Sequence, residues 1–174
     1  MEAEAQRILE SAEYQLVWRS LADRDGSESF DNLAVIRFSG ACAASASSVA
    51  TPGDATDSLA ETAVSDGRVL PFSVVRCDRI AGLLSERIGS LPTAGRDGAF
   101  GRALGRVVAH ELFHILSRTK GHQTAGVSKA CFSATDLLKP AFRFTATAVT
   151  QIRPEGAEEA HSPGEVWSDE PTGR

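Results

Sequence analysis

Residues 99–120 constrain the fold most, because one apolar face runs their whole length. Phe100, Leu104, Val107, Val108, Leu112, Ile115 and Leu116 recur at intervals of three and four, the period of an amphipathic helix lying on a core. Gly121 follows as a C-terminal stop. Such a helix needs an apolar surface to lie on. Residues 14–19, 33–38, 59–65 and 69–76 are rich in β-branched and aromatic residues or alternate roughly, and each reads as a strand. Asp66-Gly67 is a hairpin turn, and Pro71 suggests an edge position for 69–76. An N-terminal helix carries Ile8 and Leu9. A backing helix over 78–86 carries Ile80, Leu83 and Leu84, with Ile88 just beyond. A short helix capped around Ser133–Asp136 carries Leu137 and Leu138. Residues 92–98 read as a loop. The order predicts a small α+β domain with helices on a mixed sheet.

Composition narrows the function. The chain has 174 residues and a net charge of −5, which suits one domain and argues against a nucleic-acid binder held by phosphate neutralisation. No apolar run approaches the roughly 18 residues that a membrane span needs. Cys42, Cys77 and Cys131 cannot all pair and show no C-x-x-C spacing, so neither a zinc ribbon nor a disulfide scaffold is expected. The first residues are acidic and lack an apolar h-region, which predicts a cytoplasmic protein unless an export signal lies upstream. The folded domain is expected over 1–140, with a flexible loop at 39–58 and a disordered acidic tail at 141–174.

Three of the four histidines fall between His110 and His122. His110-Glu111-Leu112-Phe113-His114 is an H-E-x-x-H motif on the long helix. Residues i and i+4 share a helix face, so both imidazoles can reach one metal ion. Catalytic zinc takes three protein ligands and a water, and Glu111 can act on that water as general base. His122 follows the helix stop and is the candidate third ligand. Asp136 is the alternative third ligand.

The run HELFHILSRTKGH followed by TAGVSK resembles the zincin metallopeptidases, and within them the metzincin-like group. It departs from the metzincin pattern at two points. His122 lies twelve residues after His110 instead of ten, and Ser128 stands where the Met-turn methionine belongs, after Gly126 and Val127. The longer H-E-x-x-H-x7-H spacing resembles a group of short bacterial zinc-metallopeptidase-like proteins. Asp66–Phe72, Gly105–Val108 and Ser133–Leu138 match that group as well, so the resemblance spans about residues 7–138. It implies a twisted sheet with an active-site helix beneath its edge strand. It also implies one Zn²⁺ on His110, His114 and His122, Glu111 as catalytic base, and a peptide or protein substrate. The edge strand, expected at 69–76, would pair with that substrate, and Phe72 and Phe113 could shape a pocket. Two other readings compete: a zincin-like scaffold that binds without cleaving, and a motif with no metal at all. Cys131, His161, Lys129 and Arg118 carry ordinary structural or solvated roles in this reading.

Overall fold

The computed structural model describes residues 1–23, 26–27, 29–30, 32–45 and 58–154. Its elements are α1 (Glu2–Leu9), β1 (Val35–Ser39), β2 (Ala60–Ser65), β3 (Arg68–Arg76), α2 (Cys77–Ile88), α3 (Thr93–Ser117), α4 (Ala134–Leu138) and α5 (Ala146–Ile152), with short 3-10 turns at Glu10–Ala12 and Leu21–Asp23. The sheet runs β1-β3-β2, with β1 parallel and β2 antiparallel to β3. The expected α+β class with a mixed sheet is therefore the fold observed.

β3 is the central strand, not an edge, and Pro71 shows how this is possible. Thr62 pairs with Ser73 and Val64 with Val69, so Ala63 alone faces the stretch from Leu70 to Phe72. Pairing with β1 begins only at Phe72. Pro71 thus sits in a bulge, outside both regular ladders, where its missing N–H costs nothing. β1 and β2 are the two edge strands among the described residues. The β2–β3 turn has φ 50° at Asp66 and 77° at Gly67, the pair of positive values that tight hairpins require.

Residues 14–19 do not form the expected strand. One side chain holds the start of the segment: Gln6 Nε2 donates to the Tyr14 carbonyl, and the Leu16 N–H donates to Gln6 Oε1 at 2.7 Å. A glutamine clamp replaces a ladder, which no periodicity in the segment itself could reveal.

The long helix starts at Thr93, directly after Pro92, so the expected loop at 92–98 is mostly helix. Gly95 and Gly98 lower the helix propensity there and hid the start. α1 lies tight against it: a Cβ on Gly105 would come within 2.5 Å of the Met1 carbonyl. The helix ends at Arg118, whose left-handed φ of 51° does what Gly121 was expected to do. Leu83, expected to be buried on α2, is partly exposed, while Ile80, Leu84 and Ile88 enter the core.

The fold extends beyond the expected boundary at 140. Phe142, Phe144, Ala148 and Ile152 are buried in the same core as Ile8, Leu9, Val107 and Val108, and Tyr14 Oη donates to the Ile152 carbonyl at 2.7 Å. The domain therefore includes α5. Residues 46–57 of the expected loop and 155–174 of the expected tail, with His161, lie outside the described residues.

Cys42 and Cys77 form a disulfide that ties the chain after β1 to the first turn of α2, a bridge the cysteine count did not anticipate. It closes a loop of 35 residues, for which unfolded-state entropy alone gives about 3–4 kcal/mol. Reduction is expected to lower the unfolding free energy measured in urea by that amount, with a matching fall in the midpoint. A midpoint unchanged by reductant would show that the cross-link does not constrain the unfolded chain.

Candidate metal centre

α3 presents His110 and His114 on one face, one turn apart, and both are buried. The left-handed turn at Arg118 folds the chain back, and the exposed His122 completes a cluster whose ligand atoms lie within 4.8 Å of one another. The His122 ring stacks on His110 at 5.2 Å between centroids and meets His114 edge-on at 4.7 Å. These three histidines could hold a metal ion.

Backbone carbonyls set the imidazole tautomers. His110 Nδ1 lies 2.7 Å from the Val127 carbonyl and His114 Nδ1 lies 2.8 Å from the Thr119 carbonyl. A carbonyl only accepts, so each Nδ1 carries the proton and each Nε2 keeps a bare lone pair. The two Nε2 atoms face each other at 3.0 Å. Two lone pairs so close repel unless a cation lies between them. Burial disfavours a proton in that role: it lowers the His110 pKa to about 4, against the raising effect of its Val127 bond, and lowers His114 as well. Two nitrogens on one tetrahedral zinc would be about 3.3 Å apart, given bonds of 2.0–2.1 Å. The observed separation fits a shared divalent ion, and the donor set suits zinc.

Glu111 is buried and stands apart from the three ligand nitrogens. Burial pushes its pKa up to about 7, although Thr62, which donates to Glu111 Oε2 at 2.6 Å, pulls the other way. A carboxyl titrating near neutrality is suited to taking and returning a proton.

Asp136 is not brought to the cluster. It closes the capping box of α4 with Ser133 and binds Lys129 and Lys139. Burial alone would raise its pKa, but Lys129, Ser133 and Lys139 together hold it well below the usual carboxylate range. Lys129 is thereby engaged away from any substrate. Phe113 is core, and Phe72 lies on the opposite, outward face of the sheet beside Val35 and Val74. Neither shapes the cleft. Cys131 is a free, exposed thiol on the cleft wall, and its sulfur is not among the clustered ligand atoms.

The turn beneath His110 is built around Gly126, whose φ is +73° and where a Cβ would lie 2.6 Å from the Arg143 carbonyl. Ser128 lies two residues on, fully buried, with a hydroxyl that has no hydrogen-bond partner among the described residues. An unsatisfied buried hydroxyl costs about 1–3 kcal/mol. Ser128→Ala is therefore expected to raise stability by about 1 kcal/mol or more in urea denaturation, and a destabilised variant would show that the hydroxyl has a partner in solution.

Facing the histidines, β2 walls a cavity of about 740 Å³ whose lining includes Leu59, Thr62, Val69, Leu83 and Phe132. Phe132 packs edge-on against His110 at 5.1 Å. Thr62, Thr119 and Phe132 were not singled out from the sequence. Each reaches the site through the turn or strand that carries it, and none bears a motif. Among the described residues no helix is long and apolar enough to cross a membrane. Comparisons with protein families, with curated proteins and with solved structures found no match.

Proposed function

We propose that this protein is a zinc-dependent hydrolase, a metallopeptidase of the zincin kind. The observation that carries the reading is the pair of bare Nε2 lone pairs at 3.0 Å, joined by a third imidazole, next to a buried carboxylate outside the ligand set. Zinc held there would polarise a carbonyl and make water nucleophilic near neutral pH. Glu111 takes the proton from the attacking water and returns it to the leaving amine. Val127 and Thr119 keep the imidazoles in the ligating tautomer. Leu59, Val69, Leu83 and Phe132 give the cleft an apolar wall.

β2 replaces 69–76 as the strand that receives substrate. Among the described residues it pairs with β3 alone, and its residues line the cleft. An extended peptide adding to that edge would run along the metal site, with backbone bonds supplying affinity. The intact Glu111 favours catalysis over a scaffold that only binds, because a structural metal site needs no base. The disulfide favours an oxidising compartment over the cytoplasm. Trapping of free thiols in the producing cells tests this: one alkylated cysteine is expected, and three would contradict it.

Zinc-loaded protein is expected to cleave members of an extended-peptide library. Chelation should abolish cleavage and added zinc restore it. Absence of cleavage across the library by protein carrying one zinc would overturn the peptidase reading.

A further inference from the structure

The hydroxyl of Thr62 is 2.6 Å from Glu111 Oε2 and 2.7 Å from the hydroxyl of Ser73. The directions of these bonds follow from the acceptors. An ionised carboxylate only accepts, so the Thr62 proton points at Glu111, and Ser73, itself buried, donates to Thr62. The result is a chain of two bonds running from the central strand through the edge strand to the helix. Thr62 stands at the end of regular pairing, where the β2 register shifts before Val64. Bulges near active sites re-aim a side chain in this way. Among the described residues, Thr62 is the hydrogen-bond partner of the Glu111 carboxylate, and it holds one oxygen only.

We propose that Thr62 is a positioning residue for Glu111, anchoring Oε2 from the edge strand so that Oε1 is presented to the water at the histidine cluster; this rests on the hydrolase reading above. A glutamate side chain has three rotatable bonds and would otherwise sample several rotamers in the cleft. The hydroxyl fixes one of them. Because the anchor comes from the strand that would receive substrate, the position of the base and the position of the peptide share one reference. Val in place of Thr keeps the shape and removes the donor, while Ser keeps the donor.

The test uses Thr62→Val and Thr62→Ser in the full-length, zinc-loaded protein. Thr62→Val is expected to keep one zinc per chain and to lower kcat by about 10–100-fold, the usual effect of losing a partner that orients a site group. KM should stay within about twofold, and Thr62→Ser should recover most of the rate. A readout independent of turnover is the 13Cδ resonance of Glu111 at pH 9, assigned by its loss in Glu111→Gln. It should move in Thr62→Val and return in Thr62→Ser. An unmoved resonance, an unchanged kcat, or a Ser variant as slow as the Val variant would overturn the proposal. If wild type hydrolyses nothing while the resonance moves as described, the hydrolase reading fails and the anchoring contact stands.

Discussion

Glu111→Gln is expected to abolish hydrolysis, by roughly 10²–10⁴-fold, the contribution of a well-placed general acid–base, while leaving zinc bound. The same substitution should make the metal-free protein more stable. Burial holds the Glu111 pKa in the folded state near 7, above its ordinary 4.5. The folded protein therefore holds a proton that the unfolded chain has lost between those values. Stability from this group is present below pH 4.5 and is lost as pH rises through about 7. Glutamine mimics the protonated form, keeps an oxygen for Thr62, and never ionises. At pH 8 the variant should exceed wild type by about 3 kcal/mol in urea denaturation, with the gap closing towards pH 4. His110 acts in the opposite direction in both proteins. Its pKa is depressed from 6.5 to about 4, so acidification through that window destabilises wild type and variant alike, and the difference between them isolates Glu111. Equal midpoints at pH 8 would mean that the carboxyl is not desolvated.

Arg106→Met should be the most damaging substitution remote from the cleft. Arg106 is 1% exposed and its guanidinium makes three hydrogen bonds. Its Nε donates to Glu4 Oε1 at 2.7 Å, and Nη1 donates to the carbonyls of Asp136 and Leu137. It locks α1 and α4 to the long helix, four residues before His110. Burial tends to raise the Glu4 pKa, but Arg7 and Arg106 outweigh it and keep the carboxylate ionised. Methionine fills similar volume yet leaves a buried carboxylate half-paired and two carbonyls without a donor. Breaking one side of such a pair costs about 3–5 kcal/mol. Glu4→Gln added to Arg106→Met should return part of that loss, because the uncompensated charge is gone. A single-variant loss below about 1 kcal/mol would show that α1 and α4 are held by packing alone.

These two residues show how unevenly the sequence discloses the molecule. Strong periodicity placed α2 and α3, and β-branched runs placed β1, β2 and β3 to within one or two residues. The H-E-x-x-H spacing put His110 and His114 on one helix face because a helix fixes i and i+4 by itself. His122 was legible as a candidate, but its approach depends on the left-handed turn at Arg118, a non-glycine conformation that local propensity does not favour. Strand order was not legible. Pro71 pointed to an edge, and only the two-residue register shift opposite Ala63 reconciles it with the central strand. The misread segment at 14–19 and the early domain end have one cause. Their partners lie outside the segments themselves: Gln6, eight and ten residues before Tyr14 and Leu16, for one, and the Ile8 and Leu9 core for the other. Thr62 belongs to the same class: 49 residues separate it from Glu111, and a threonine in a strand attracts no notice. Ser128 is legible as a replacement for a methionine, whereas a hydroxyl without a partner among the described residues emerges only once the turn has folded.

The central claim is that the Nε2 atoms of His110 and His114, with His122, share one divalent ion. Equilibrium dialysis against zinc at pH 7.5, followed by elemental analysis, tests it directly. Wild type should retain about one zinc per chain, His114→Ala close to none, and Asp136→Asn as much as wild type. No stoichiometric zinc on the wild type, or zinc lost in Asp136→Asn and kept in His114→Ala, would contradict the account.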